Sequence, residues 1–174
     1  MEANILKEKL KKIKIVVMDV DGTLTDGNVF YSASGEAMKR FSIRDGMGIV
    51  LLKRAGLDAA IITSETSQIV VKRAEKLKIT HIVMGSRNKK EDLENLAKKL
   101  HYDLDEIAYI GDDVNDIQPL MLAGVSACPA DSVESVIKIV DFRCSAKAGE
   151  GAVRELIEAI LVQQGKPVVL PESW

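Results

Sequence analysis

Aspartates carry the most legible chemistry. Asp19 and Asp21 follow the apolar run Ile15-Val16-Val17-Met18, while Asp112, Asp113 and Asp116 follow Ala108-Tyr109-Ile110-Gly111. Two further polar groups occupy comparable places: Thr63-Ser64 after Ala60-Ile61-Ile62, and Lys89-Lys90 ahead of an amphipathic stretch. Carboxylates gathered at one point repel one another and raise each other's pKa unless a cation neutralises them. With oxygen donors and no His/Cys set, the expected ion is Mg2+, which binds through one or two carboxylates, waters and substrate phosphate. Once Mg2+ and a lysine shield a bound phosphate, an ionised Asp can attack phosphorus in line while a second carboxyl protonates the leaving oxygen. The Asp-x-Asp spacing suits that division of labour, because residues two apart on an extended strand face the same way. Taken singly, each group has a structural reading: Asp-Gly as a turn, Thr63-Ser64 as a helix cap, the lysine pair as solvated surface. Two lysines in a first helical turn, however, oppose the helix dipole. Their occurrence together with the strand-end carboxylates favours a phosphate site.

These groups meet only if their strands are parallel neighbours. Short apolar runs at Ile13 to Asp19, Asp58 to Thr63, His81 to Met84, Ile107 to Asp112 and Val125 to Cys128 read as strands. Between them, Gly46 to Ala55, Ser67 to Leu77, Lys89 to Leu100, Val114 to Ala123 and Ser132 to Val140 place apolar residues at helical spacing. A last helix is predicted over Gly151 to Gln163, followed by a tail of about 165–174 with Val168, Val169 and Leu170. Asn88 with Glu91, and Asp131 with Glu134, have the spacing of capping boxes. The alternation predicts an α/β fold with a Rossmann-like doubly wound parallel sheet, whose ligands bind beyond the carboxyl ends of the strands. One segment breaks it: Asn28 to Tyr31 and Glu36 to Ile43 flank Ser32-Ala33-Ser34-Gly35, predicting a β-hairpin that projects after the first strand.

At 174 residues and 47% hydrophobic content, the chain suits one buried core and one domain over 1–174. The balance of 24 basic against 26 acidic residues, without a Lys/Arg block, argues against a nucleic-acid partner. Apolar runs are too short for a membrane span and the N-terminus lacks a signal-peptide core, so a cytoplasmic protein is expected. Cys128, Cys144, His81 and His101 show no metal-ligand spacing; the cysteines read as small core or surface residues and the histidines as structural or exposed.

On these residues the chain resembles the haloacid dehalogenase-like phosphatases. Asp19-Val-Asp-Gly-Thr-Leu-Thr is similar to the family's first motif, Thr63-Ser64 to its second, Lys89 or Lys90 to its third, and Gly111-Asp-Asp-Val-Asn-Asp116 to its fourth. The resemblance implies Asp19 as nucleophile, Asp21 as general acid/base, and Mg2+ on Asp19, the main-chain carbonyl of Asp21 and Asp112, with Asp113 or Asp116 supporting that shell. The resemblance favours Lys89, with Lys90 as the alternative, because Lys89 sets Leu93, Leu96, Ala97 and Leu100 in the helical register the family usually shows after its lysine. Neither gap between the early motifs has room for a cap domain, so the chain looks like the capless branch, whose best-known members hydrolyse 3-deoxy-D-manno-octulosonate 8-phosphate. Lys39-Arg-Phe, Arg44-Asp45-Gly-Met-Gly-Ile49 and Gly149-Glu-Gly-Ala-Val-Arg-Glu155 extend the match. That branch implies a homotetramer in which a neighbouring subunit supplies the missing cap. The apolar residues of the hairpin agree with a covered surface.

One departure concerns the sugar. Octulosonate phosphatases usually continue the second motif as Thr-Gly-Arg, whereas this chain has Thr63-Ser64-Glu65. A related capless group acting on 2-keto-3-deoxynononate 9-phosphate resembles it in that Glu and in a Lys matching Lys76. Ser64, Glu65, Arg44, Asp45 and Lys76 are therefore the expected substrate contacts. Two other classes compete. A phospho-receiver would carry its acidic pair on the first strand and its phosphorylated Asp on a middle one. A silent interaction domain of sugar nucleotide synthesis would not keep every catalytic group.

Overall fold

The computed structural model describes residues 2–170. Helix α1 (Glu2–Lys12) leads to β1 (Ile15–Met18), the hairpin β2 (Thr25–Ser32) and β3 (Gly35–Phe41), then α2 (Ile43–Arg54), β4 (Asp58–Ile62), α3 (Gln68–Leu77), β5 (His81–Val83) and α4 (Lys89–Leu100). The chain continues through β6 (Ile107–Ile110), α5 (Ile117–Leu122), β7 (Val125–Cys128), α6 (Glu134–Ile137), β8 (Phe142–Arg143) and α7 (Ala152–Gln163).

Six strands form one sheet in the order β5-β4-β1-β6-β7-β8, every pairing parallel. Strand β1 is the switch point: the chain builds outward on one side through β4 and β5, then returns to build on the other through β6. Ile15 stands opposite both Asp58 and Ile107, and Met18 opposite both Ile61 and Ile110, so the three strands end level. The crevice that opens beyond such a point is where doubly wound sheets bind ligands.

Strand alternation splits the core into two layers. Val16, Met18, Ala59, Ile61, Ala108 and Ile110 face α1, α2, α3 and α7. Ile15, Val17, Ala60, Ile62, Ile107 and Tyr109 face α4, α5 and α6. Being buried on both faces, β1 and β6 read as continuous apolar runs in the sequence, which made them easy to recognise. Residues 19–57 hold the hairpin and α2, and residues 63–88 hold α3 and β5, so no cap domain is inserted between the motifs.

Several boundaries differ from expectation for identifiable reasons. The charged lead-in folds as α1 because Leu10 is buried and Leu6 packs against the core. Helix α2 starts at Ile43, ending the hairpin at Phe41, because the Ser42 side chain accepts from the amides of Arg44 (3.1 Å) and Asp45 (3.3 Å). The expected helix at Val114 opens as a 3-10 turn, Val114–Asp116, before α5. Asn88 caps α4 by accepting from the Glu91 amide, but the Asp131 capping box is absent: that carboxylate accepts from the Ala148 amide, and α6 is only four residues long. Strand β8 was not expected. The end of the predicted tail, residues 171–174, lies outside the described residues. No helix among the described residues is long and apolar enough to cross a membrane.

Candidate active site

Beyond Met18 the chain leaves the strand. Asp19 is buried at the strand end, whereas Asp21 lies in the turn that follows, in which the amides of Thr23 and Thr25 both donate to the Val20 carbonyl. The expectation that Asp19 and Asp21 share one face of an extended strand is therefore corrected. Gly22 at φ +86° turns the backbone, and the Asp21 carboxylate points to the hairpin instead of the other aspartates. The tightness has a second cause: a Cβ on Gly22 would fall 2.1 Å from Asp112 Oδ2.

Asp19, Asp112 and Asp116 form the carboxylate cluster, with one oxygen from each within 4.8 Å of the others. Their surroundings differ. Asp116 is fully buried and surrounded by donors: Oδ1 accepts from Lys89 Nζ (2.7 Å) and Tyr109 Oη (2.6 Å), and Oδ2 from the amides of Asp112 (3.2 Å) and Asp113 (3.5 Å). A carboxylate so occupied has little capacity left for a cation, which makes Asp116 a support rather than a ligand. Asp112 accepts from Thr23 Oγ1 at 2.9 Å, and Asp19 Oδ1 lies 2.9 Å from Lys89 Nζ. Asp113 turns outward to cap Val114.

Burial and charge crowding set the pKa values of the cluster. Burial first, then the Asp116 charge, push Asp19 up to about 7 against the opposing pull of Lys89. Burial raises Asp112 to about 7 as well, with Asp116 and Asp113 adding to it and the Thr23 hydroxyl opposing. For Lys89, burial pulls its pKa down but Asp19 and Asp116 outweigh that and hold it above the usual lysine value. Burial and Asp116 raise the Tyr109 phenol well above its ordinary range, so it remains a donor. One buried and one half-buried carboxylate poised near neutrality, crowded by a third, are what a divalent cation would relieve. The all-oxygen donor set suits Mg2+, and the fit is supported by the approach of one oxygen from each of Asp19, Asp112 and Asp116 to within 4.8 Å of the others.

The remaining expected residues divide. Thr63, just past the end of β4, is buried, and Ser64 accepts from Asn115 Nδ2 at 3.2 Å, so the loops after β4 and β6 meet across the end of β1. Glu65 is exposed in the same loop. Of the two lysines, Lys89 enters the cluster while Lys90 is exposed. Asp45 is not brought to the site: it is buried beneath α7, whose first amides it caps by accepting from Gly151 (3.2 Å) and Arg154 (2.8 Å). Arg44 is exposed at the start of α2, and Lys76 is exposed in the last turn of α3, the end away from the strand tips. Neither reaches the carboxylates within this chain.

Sequence reasoning missed three participants. Thr23 and Tyr109 looked like motif spacer and core strand residue, yet each donates to a site carboxylate. Lys39 of β3 has a side chain only 1% exposed, with Nζ 2.5 Å from Asp21 Oδ1 and 3.3 Å from Glu36 Oε1. Burial lowers its pKa, but those carboxylates prevail and hold it above the usual lysine value. The available signal was Lys39-Arg-Phe itself, matched to the family but given no role at the site.

A family model for haloacid dehalogenase-like hydrolases matches residues 57–157. The chain is 38% identical over 164 residues to the 3-deoxy-D-manno-octulosonate 8-phosphate phosphatase of Haemophilus influenzae, spanning 94% of this chain and 91% of that protein. It is 35% identical over 158 residues to the phosphatase of the same name from Escherichia coli K12, spanning 91% of this chain and 84% of that one. Among solved structures, the 3-deoxy-D-manno-octulosonate 8-phosphate phosphatase of Moraxella catarrhalis, in complex with magnesium, phosphate and KDO, superposes with a TM-score of 0.90 at 40% identity over 93% of each chain.

Proposed function

The chain belongs to the haloacid dehalogenase-like hydrolases, and on that premise we propose that it is a Mg2+-dependent phosphatase that hydrolyses 3-deoxy-D-manno-octulosonate 8-phosphate through a phosphorylated Asp19. The observation that carries this reading is the buried Asp19 at the switch point, set 2.9 Å from Lys89 and clustered with Asp112. Asp19 attacks phosphorus in line, and the bond to the sugar oxygen breaks as Asp21 gives that oxygen a proton. Asp21 then takes a proton from the water that attacks the aspartyl-phosphate, releasing phosphate and restoring Asp19. Lys89 and the Thr63 hydroxyl hold phosphoryl oxygens, and Asp116 with Tyr109 fixes Lys89 from behind. The carboxylates of Asp19 and Asp112 and the main-chain carbonyl of Asp21 would hold Mg2+, which when bound supplies positive charge against the phosphoryl oxygens.

Selectivity on this reading comes from the open mouth. Ser64 and Glu65 line the loop after β4, and a second copy would complete the site in a homotetramer, bringing groups such as Arg44 and Lys76 that this chain keeps away from its own carboxylates. The exposed Phe30 (53%), Tyr31 (75%) and Met38 (59%) of the hairpin support such an assembly. A cytoplasmic enzyme fits the nature of the substrate. Glu65, exposed at the place where the octulosonate resemblance leads one to expect Arg, supports a second reading with the nine-carbon 2-keto-3-deoxynononate 9-phosphate as substrate. A hydrolysis panel of both keto acid phosphates with Mg2+ decides between them. Higher kcat/KM for the eight-carbon ester is expected; a preference for the nine-carbon ester that Glu65→Arg reverses would overturn the choice of sugar, and absence of Asp19-dependent turnover would overturn the phosphatase.

A further inference from the structure

Lys39 is the buried cation that the chemistry above does not use. It belongs to β3, a strand outside the main sheet, yet its ammonium contacts a carboxylate of the first motif. Behind it, Glu36 Oε1 accepts from Ser67 Oγ at 3.0 Å. Ser67 stands at the N-cap of α3 and makes no side-chain cap bond there, so its hydroxyl serves the hairpin rather than its own helix. A continuous polar chain, Asp21–Lys39–Glu36–Ser67, thus runs from the turn after β1, through the hairpin, to the start of α3. Burying an ammonium is costly unless its partners are held in place, and a hairpin lysine serving only solubility would face water.

The geometry of Asp21 itself is asymmetric. Oδ1 is engaged by Lys39 at 2.5 Å, while Oδ2 is buried and has no partner. A protonated carboxyl has one oxygen that bears hydrogen and one that still accepts. An ammonium fixed on Oδ1 therefore leaves Oδ2 as the oxygen with capacity for a further partner.

We propose that Lys39 is a positioning residue for Asp21, holding Oδ1 so that Oδ2 exchanges the proton with the ester oxygen. The inference rests on the aspartyl-phosphate reading above. In the first half-reaction the Asp19 oxygen–phosphorus bond forms, the phosphorus–sugar oxygen bond breaks, and the Oδ2 proton passes to the departing oxygen. In the second, the attacking water gives its proton to Oδ2. Lys39 transfers no proton and touches no substrate; it fixes which Asp21 oxygen does so, and Glu36 and Ser67 fix Lys39.

Dependence on the leaving group separates this role from a hairpin anchor. A sugar alkoxide departs poorly without protonation, whereas nitrophenolate departs readily, and kcat/KM reports only the steps through departure. With the full chain and Mg2+, Lys39→Met is expected to lower kcat/KM for 3-deoxy-D-manno-octulosonate 8-phosphate by about 100-fold, the low end for a general-acid contribution. For 4-nitrophenyl phosphate the loss should stay under about tenfold, the proton being dispensable there. Lys39→Arg, which keeps a cation, should recover part of the sugar-ester activity, and it carries the same comparison should Lys39→Met fail to fold. Combined with Asp21→Asn, Lys39→Met should cost nothing further on the sugar ester. Equal losses on both esters, or a loss that multiplies with that of Asp21→Asn, would overturn the assignment while leaving the phosphatase standing. A wild-type chain inert to both esters would instead overturn the phosphatase, and this assignment with it.

Discussion

Lys89 Nζ stands 2.7 Å from Asp116 Oδ1, so the lysine that faces Asp19 is braced from behind by a carboxylate whose other partners are Tyr109 and two backbone amides. Removing that brace strands several buried donors together. Asp116→Ala is expected to cost about 3–5 kcal/mol of unfolding free energy, the penalty for leaving a buried charge without its partner. Urea denaturation checks the stability, and kcat/KM for a phosphate ester should fall by at least about tenfold as Lys89 loses its position.

Asp19→Asn is expected to separate activity from stability. Turnover should fall by more than about 1,000-fold with the nucleophile gone. The same change removes a carboxylate that burial and Asp116 hold up to about 7. In the metal-free chain at pH 8 the thermal midpoint should therefore rise. A midpoint that drops would show that Asp19 is worth more to Lys89 than its burial costs.

The raised values of Asp19 and Asp112, both about 7 against an ordinary 3.8, fix a sign for pH dependence. Between roughly pH 4 and pH 7 the folded chain binds more protons at these groups than the unfolded chain does, so their contribution to metal-free stability falls as pH rises. Mg2+ favours the ionised forms and should reverse the trend. At 100 times its dissociation constant the ion adds about 2.7 kcal/mol, equivalent to roughly 5–10 °C in midpoint. Thermal scans with and without Mg2+ should show this gain at pH 8 and much less of it at pH 5.

Gly22→Ala should weaken metal binding more than the fold. The new methyl would meet Asp112 Oδ2 at 2.1 Å in a backbone of φ +86°, which side-chain-bearing residues rarely adopt. Backbone strain of this kind costs about 1–3 kcal/mol. Displacing Asp112 should raise the Mg2+ concentration for half-maximal activity at least tenfold, on the scale of losses seen when a metal ligand's support is removed. A Mg2+ titration of the variant tests it.

Much of this was legible because buried parallel strands write themselves as apolar runs, and a carboxylate ending such a run is conspicuous. Asp19, Asp112, Thr63 and Lys89 could be found that way, the last because the helix behind it sets Leu93, Leu96 and Ala97 in register. Asp21 was found but misplaced, since its neighbour Gly22 turns the chain where alternation assumes a straight strand. Lys39 stood out only as part of Lys39-Arg-Phe, without a role, because its meaning depends on how the hairpin folds back over the end of β1, a long-range arrangement with no periodic trace. Asp45 failed in the opposite direction. A carboxylate near a matched motif looked like a substrate contact, whereas a helix without a cap of its own, 106 residues onward, claims it.

That bond between Asp45 and α7 also sets a timetable. Synthesis proceeds from the amino end, so β1, the hairpin and every carboxylate of the cluster are made before residues 151–163. In that interval Val16 and Met18 lack the α7 side chains they pack with, and Asp45 lacks the amides it caps. The nascent chain thus carries its reactive groups while one face of its sheet is bare, a state open to chaperone capture and to aggregation. Closing that face is therefore left to the last helix of the chain, which contributes no atom to the candidate site.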